Sequence, residues 1–136
     1  MDFVKSIFVA ASGLKAQSGR MRIIAENIAN ADSTGRSPTE DPYRRKIPTF
    51  HATLDRELKA EVVELGPVEV DKSDFKTRYE PGHPAADASG TVRTPNVDTL
   101  VEMVDMREAQ RSYEANLNLI SATRRMVQKT LEILRA

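Results

Sequence analysis

The sequence of 136 residues contains no cysteine and no tryptophan, and its only aromatic side chains are four phenylalanines and three tyrosines. Without cysteine there is neither a disulfide framework nor a thiolate metal site. The absence of cysteine is compatible with a reducing compartment such as the cytosol and with an oxidising one such as the periplasm. Compact domains usually obtain much of their buried area from large aromatic side chains. The composition therefore favours helix–helix seams over an aromatic-rich globular core.

An excess of charge of either sign is also missing, because 20 basic residues balance 20 acidic ones. Proteins that bind nucleic acid or anionic membranes obtain much of that affinity from basic side chains. The dense basic spots are confined to residues 44–46 and 124–125, which we interpret as solvated faces or protein contacts. The composition predicts no nucleic-acid partner.

Long hydrophobic runs are absent as well, since the longest covers only residues 7–11. A transmembrane helix needs about 20 apolar residues, so no lipid-spanning segment is predicted. The run weakly resembles the apolar part of a signal peptide. However, Asp2 opposes a positively charged start, and the apolar periodicity continues beyond any cleavage position. We therefore expect residues 1–30 to belong to the mature protein.

None of the common catalytic or nucleotide-binding motifs is present. The two histidines, His51 and His83, lie in separate polar segments. His83 and Asp87 have the spacing of a two-residue metal site, but Pro84 between them favours a loop, and stable metal sites need three or four ligands. The sequence predicts no catalytic residue, no metal site and no cofactor.

Apolar side chains recur with alternating spacings of three and four in both terminal segments, which is the pattern of a helix with one apolar seam. The N-terminal series predicts a helix that ends near Asn30, before Gly35. Its members are Phe3, Ile7, Ala10, Leu14, Gln17, Met21, Ile24 and Ile28. The C-terminal series comprises Met103, Met106, Gln110, Tyr113, Leu117, Ile120, Arg124, Val127, Leu131 and Leu134.

The second helix is predicted to start at Asn96, which follows Pro95 and has a side chain suited to an N-cap, with Asp98 in the first turn. The two helices would then contain roughly 28 and 38 residues, about 40 and 55 Å at 1.5 Å per residue. This mismatch allows two interpretations. Either the chain forms a hairpin with a frayed end, or neighbouring subunits complete both seams. Polar residues within the seams, such as Gln17, Gln110 and Arg124, would fix the register.

Small residues are frequent in the N-terminal helix, where Gly13 and Gly19 lie among alanines and serines. A helical glycine costs about 1 kcal/mol relative to alanine. Two such glycines suggest that another backbone approaches closely at this face. The alternative is that they only kink or soften the helix.

The middle segment, residues 31–95, contains all seven prolines and four of the six glycines. Alternating patterns predict short strands at 46–54, where Pro48 confines the strand to an edge, and at 75–79. The pattern at 62–70 is broken by a Gly66–Pro67 turn. The predicted fold is mainly α with a small β insert. Residues 1–30 and 96–136 would form one helical core domain with coiled-coil-like packing, and 31–95 the insert.

The stretch from residue 11 to residue 35 resembles the N-terminal motif of the flagellar rod and hook axial protein family, with Asn27, Asn30, Thr34 and Gly35 at the matching positions. Residues 42–46, 79–97 and 102–131 are similar to the proximal-rod members of that family. The main departure is the loop at 36–41, which differs from the tighter join usual in the family. The length also fits, since distal rod and hook subunits are much longer.

The resemblance implies a structural subunit that polymerises through its terminal helices into the periplasm-crossing rod, which transmits torque and surrounds the export channel. The implied assembly seams are Ile7, Leu14, Met21, Ile24 and Ile28 on the first helix, and Met106, Tyr113, Leu117, Ile120, Val127 and Leu131 on the second. It implies as partners copies of itself, other rod proteins and the flagellar type III export apparatus, with the membrane-ring adaptor protein as a further candidate. Export would proceed without a cleaved signal peptide.

One alternative belongs to a different class of protein. A soluble cytosolic helical-hairpin adaptor would bind one protein partner through the unpaired end of its C-terminal helix. An adaptor should be a folded, cooperative monomer or dimer. An axial subunit should be poorly ordered until it polymerises.

Overall fold

Two long helices and six short strands make up the chain. The computed structural model describes residues 2–136, so Met1, the first residue of the predicted N-terminal segment, lies outside the described part. Helix α1 spans Phe3–Ala29 and helix α2 spans Thr99–Arg135. Their 27 and 37 residues agree with the predicted lengths. The expected end of α1 near Asn30 is confirmed, because the amide of Asn30 makes the last α-helical bond, to the carbonyl of Glu26.

The strands form three separate two-stranded antiparallel sheets, in which β1 pairs with β4, β2 with β3, and β5 with β6. Gly66–Pro67 separates β3 from β4, as the pattern predicted. The single strand predicted at 46–54 is instead divided at Pro48 into β1 and β2, because proline has no amide hydrogen to donate to a strand ladder. Only β6 was not expected from the sequence. The strands are β1 (Lys46–Ile47), β2 (Phe50–Asp55), β3 (Ala60–Leu65), β4 (Glu69–Val70), β5 (Lys76–Tyr79) and β6 (Thr91–Thr94).

The chain divides into two separately packed units. Unit 1 consists of the residues up to Met21 together with Thr49–Pro67 and Arg107–Ala136. Unit 2 consists of Arg22–Pro48 and Val68–Met106. The division into a helical core domain and an insert at 31–95 stays a prediction.

Unit 1 has a core of small side chains. Ala10 and Ala16 of α1, Val62 of β3 and Ala109 of α2 are buried. A Cβ atom added to Gly13 would lie 2.9 Å from the side-chain nitrogen of Asn116, and one added to Gly19 would lie 2.8 Å from a methyl group of Leu65. The predicted close approach at these glycines is present, but the groups that approach are side chains and not a second backbone. Helix α1 continues through both positions.

Small and polar side chains form the buried line of α2. Glu102, Ala109 and Thr123 are buried and Asn116 is half-buried, and these four residues follow each other every seven positions. The bulkier seam predicted from the sequence lies beside this line. Its Met103, Gln110, Leu117, Arg124, Leu131 and Leu134 are exposed. Every residue from 128 to 136 is exposed, so the C-terminal end of α2 is bare in the free chain.

The prediction that Asn96 caps α2 is wrong. Helix α2 begins at Thr99, and the carboxylate of Asp98 accepts hydrogen bonds from the amides of Leu100 at 3.0 Å and Val101 at 3.5 Å. Both residues have N-capping side chains, and Asp98 takes the position because Asn96 is engaged elsewhere in unit 2. Its Oδ1 accepts a hydrogen bond from the amide of Arg45 at 2.8 Å.

In unit 2, Arg93 of β6 holds the loop at 36–41 that departs from the usual family pattern. Its guanidinium donates to the carboxylate of Asp41 at 2.7 Å and to the carbonyls of Pro38 and Glu40. The same guanidinium lies 5.7 Å from the ring centroid of Phe75. This one side chain therefore fixes the path of the loop.

Gly35 lies directly against this loop, since an added Cβ atom would be 2.6 Å from the backbone oxygen of Glu40. Backbone cannot move aside as a flexible side chain can. We expect Gly35→Ala to lower the free energy of unfolding by about 1–3 kcal/mol. Gly82→Ala is the matched control, because nothing lies within 4 Å of its added Cβ atom. Its effect should stay within about 0.5 kcal/mol in urea unfolding. Equal stabilities of the two variants would contradict this account.

Candidate functional site

A buried polar cluster in unit 2 connects the end of α1, the segment leading into β1 and the first turn of α2. We call it the Asn27 cluster and define it as Asn27, Tyr43, Arg45, Lys46 and Glu102. Asn27 is fully buried. Helix α1 presents it in its last turn, on the same side as the buried Ile23 and Ile24.

The side chain of Asn27 uses its complete hydrogen-bonding capacity. Its Nδ2 donates to the carbonyl of Lys46 at 2.8 Å and to Oε2 of Glu102 at 3.1 Å. Its Oδ1 accepts from the hydroxyl of Tyr43 at 2.8 Å and from the amide of Lys46 at 2.9 Å. Two donors and two acceptor lone pairs are all that an asparagine amide offers. An aspartate at position 27 would lose both donors, and an alanine would lose all four bonds.

Glu102 is a buried carboxylate, with only 1% of its surface exposed. Its Oε1 accepts a hydrogen bond from Nε of Arg45, whose guanidinium also lies 3.8 Å from Asp71 and 3.7 Å from Asp105. Burial acts to lower the pKa of Arg45, but the hydrogen bond and charge of Glu102, with the charges of Asp71 and Asp105, outweigh it and raise the pKa. Arg45 is therefore charged at every accessible pH, and it compensates the buried carboxylate.

Tyr43 stays protonated in this setting. Burial, followed by the nearby charges of Glu26 and Glu102, raises the pKa of Tyr43 to about 12. Its hydroxyl can therefore donate to Asn27 throughout the neutral range. On the more exposed side of the cluster, the ammonium group of Lys46 forms an ion pair with Glu26.

Asn96, whose Oδ1 accepts from the amide of Arg45, makes further hydrogen bonds through its Nδ2 group. The Nδ2 of Asn96 donates to the carbonyl of Asp71 at 3.1 Å and to the hydroxyl of Ser73 at 3.0 Å. Hydrogen bonds from Ser73, and then the charges of Arg45 and Arg44, lower the pKa of Asp71. The segment before α2 is thereby tied to the segment that follows β4.

The other residues of the recognised motif lie just beyond the end of α1. The Nδ2 of Asn30 donates to the carbonyl of Glu26 at 2.8 Å, and the carbonyl of Asn30 accepts from the amide and the hydroxyl of Ser33. The hydroxyl of Thr34 lies 3.5 Å from Nε2 of His83. Asn30 therefore completes the helix end locally, whereas Asn27 connects distant segments.

The predicted seam residues differ in burial. On α1, Ile24 is buried, while Ile7, Leu14, Met21 and Ile28 are half-buried. On α2, Met106, Tyr113, Ile120 and Val127 are half-buried, whereas Leu117 and Leu131 are exposed. A role in assembly stays a prediction for all of them.

The Asn27 cluster has the properties of a structural polar network and not of a reactive site. Its carboxylate and guanidinium are paired with each other, and its amide and phenol groups are hydrogen-bonded. Within residues 2–136, no group of three or more metal-ligating side chains is brought together. Across the same residues, no helix is both long and apolar enough to cross a membrane.

Sequence reasoning identified Asn27 through the motif but missed its partners Tyr43, Lys46 and Glu102. It also missed Arg45, which pairs with Glu102. Residues 44–46 were interpreted as a solvated face or a protein contact, and Glu102 lies outside the apolar seam that was counted. A usable signal was present, because Glu102, Ala109, Asn116 and Thr123 repeat every seven residues. The side chains of that line are small or polar, so a search for large apolar side chains does not detect it.

Comparison with known protein families gives matches that include the residues of the Asn27 cluster on both helices. Residues 7–35 match the family model described as flagella basal body rod protein, and residues 88–133 match the model described as flagellar basal body rod FlgEFG protein C-terminal. The first match contains Asn27, and the second contains Glu102. The chain is therefore of the flagellar axial class, with the motifs of that class on both helices.

Full-length relatives narrow the class to one family. The chain is 53% identical over 128 residues to the flagellar basal-body rod protein FlgC of Agrobacterium fabrum, covering 94% of this chain and 92% of the relative. It is 41% identical to FlgC of Salmonella typhimurium, covering 92% of each chain. Identity to FlgC of Bacillus subtilis is 38%, covering 98% and 99%. The chain belongs to the FlgC family of flagellar basal-body rod proteins, which are structural proteins and not enzymes.

Removal of the Asn27 side chain should be far more damaging than removal of the neighbouring motif asparagine. Asn27→Ala leaves the Tyr43 hydroxyl, both backbone groups of Lys46 and Glu102 without their partner, so we expect a loss of about 3 kcal/mol or more. Asn30→Ala removes one helix-end bond and should cost about 1 kcal/mol. Urea unfolding of the purified variants measures both. Similar losses would show that the cluster does not hold unit 2 together.

Proposed function

We propose that this chain is a structural subunit of the proximal rod of the flagellar basal body and polymerises through its terminal helices. The observation that supports this most directly is the set of large apolar side chains exposed on α2. A folded protein that works alone seldom leaves so many large apolar groups in water along one element. They are Leu100, Val101, Met103, Val104, Leu117, Leu119, Met126, Leu131, Ile133 and Leu134.

In this proposal the exposed and half-buried seam residues of both helices form coiled-coil-like contacts between subunits, and the middle segment 31–95 faces outward. Contacts that repeat from one subunit to the next in an open arrangement generate a filament. The partners are copies of this chain and other rod proteins, with the membrane-ring adaptor protein as a candidate. The flagellar type III export apparatus would deliver the chain to the periplasm. Residues 1–30 would be retained, and the burial of Ala10, Ala16 and Asn27 of α1 supports this.

Leu131 offers a test that separates assembly from folding. It is 54% exposed in the free chain, so Leu131→Asp should leave the fold of the subunit unchanged. In a seam between subunits, the same carboxylate would be buried without a partner at a cost of several kcal/mol, roughly 3–5, repeated at every copy. We expect cells that carry Leu131→Asp to export the protein but to lack hooks and motility.

Asn118→Asp is the matched control, because it adds the same charge at an exposed polar position of α2. Its cells should swim almost normally, and far-UV circular dichroism of both purified variants should equal that of the unchanged protein. Normal swimming with Leu131→Asp would mean that the bare end of α2 is not an assembly surface. That result would favour the hypothesis that the chain is a helical-hairpin adaptor.

A further inference from the structure

The hairpin formed by β2 and β3 in unit 1 has two faces of opposite polarity. Directly paired residues of an antiparallel ladder point to the same side, and the pairs here are Phe50 with Leu65, Ala52 with Val63, and Leu54 with Glu61. We call this side the outer face. The inner face consists of His51, Thr53, Asp55, Ala60, Val62 and Glu64.

The polar inner face is the one that packs against α1. Val62 is buried, and the amide of Val63 donates to the hydroxyl of Ser12 at 3.2 Å. Most of the apolar outer face is left in water, and Leu54 is 63% exposed there. Leu65, at the base of this face, is instead half-buried and lies against Gly19 of α1. Phe50, Ala52 and Val63 of the outer face are exposed as well. A half-buried sheet normally has the reverse arrangement, with its apolar side covered.

This orientation is fixed by the turn and by the base of the hairpin. The carboxylate of Asp55 accepts hydrogen bonds from the amides of Glu57 at 2.9 Å and Leu58 at 3.1 Å, and Lys59 has a positive φ of 49°. At the base, the amide of Gly66 donates to the carbonyl of Thr49 at 2.7 Å. A shift of one residue would exchange the two faces but would break these contacts. The exposed apolar face is thus specified by the chain itself.

We propose that the outer face of this hairpin binds a second copy of the chain, along an exposed row of α2 formed by Leu119, Met126 and Ile133. These three residues are seven positions apart, so they lie along one line of the helix surface. All three are exposed. They lie outside the seam predicted from the periodicity, and the row is therefore a different surface from the one that Leu131 tests. The inference rests on the proposed function, because it requires neighbouring copies.

Charge and length both fit this pairing. The hairpin segment 49–67 contains four acidic and two basic residues, whereas 117–136 of α2 contains four basic residues and one acidic residue. Arg125 and Lys129 flank the row on α2, and Glu61 lies on the outer face. The fourteen helical steps from Leu119 to Ile133 extend about 21 Å, and a six-residue strand extends about 20 Å. Opposite charges at the rim orient two apolar surfaces towards each other.

Cysteine cross-linking tests the contact directly, because the natural chain has no cysteine. The double variant Leu54→Cys/Met126→Cys places both thiols in every copy. In oxidised, isolated basal bodies we expect a ladder of disulfide-linked multimers of this chain. The control Leu54→Cys/Gln128→Cys moves the second thiol to an exposed position on the other side of α2 and should give no ladder. Oxidation of the dilute purified double variant should leave monomers.

The outcomes separate this inference from the proposed function. Presence of the chain in isolated basal bodies together with absence of the ladder would overturn the inference alone, whereas absence of the chain from basal bodies would overturn the proposed function. A cross-link from position 54 to a different protein would assign the outer face to that protein and would equally contradict a second copy. A disulfide between positions 54 and 126 within one molecule of the dilute protein would also contradict the proposed contact between copies.

A charge on the outer face gives an independent readout. Leu54→Asp should leave the circular dichroism of the free subunit unchanged and reduce the amount incorporated into basal bodies about tenfold or more. Arg56→Asp adds negative charge at the exposed tip of the same hairpin and should change incorporation by less than about twofold. Equal incorporation of the two variants would contradict the proposed contact.

Discussion

The buried amide of Asn27 is the interaction on which unit 2 depends. It joins a helix end, an extended segment and a helix start that lie far apart in sequence, and the joined groups are two backbone atoms, a phenol and a carboxylate. Because the carboxylate of Glu102 is buried, its charge must be compensated, and Arg45 does so through an ion pair. Arg45 also forms ion pairs with Asp71 and Asp105. Through Glu102, Asn27 is therefore connected to a group of four charged side chains. This gives a physical reason for the motif asparagine, since an isosteric aspartate lacks both donors.

Unit 1 follows a different rule. Its core is made of alanine, valine and other small side chains, while the leucines of α2, with Met126 and Ile133, remain in water. Small buried residues contribute little hydrophobic stabilisation, because that stabilisation follows the apolar area removed from water. Long helices also depend on burial of one face more than on their own propensity. The free chain thus leaves large apolar groups of α2 in water, which supports the proposal that other subunits cover them.

The parts of the fold that were predictable are those with a strong local signal. Both helices follow from their spacing, and α1 ends where Asn30 and the Gly35 loop predict. β6 was missed because four residues between Gly90 and Pro95 give too short a pattern. Two capping side chains stand before α2, and only tertiary contacts of Asn96 decide in favour of Asp98. The partners of Asn27 were beyond reach for the same reason, because a buried ion pair is defined by segments that meet only after folding.

Hydrogen exchange of the free subunit tests most directly the central claim, that the Asn27 cluster is formed before assembly while the bare part of α2 is not yet protected. The amide of Lys46, bonded to Asn27, should exchange slowly, together with the backbone at 22–29 and 99–106. Residues 128–136 should exchange rapidly in a confirmed monomer. Uniformly slow exchange along α2 would contradict the account, because it would show that the helix needs no neighbour. Rapid exchange at Lys46 would contradict it equally.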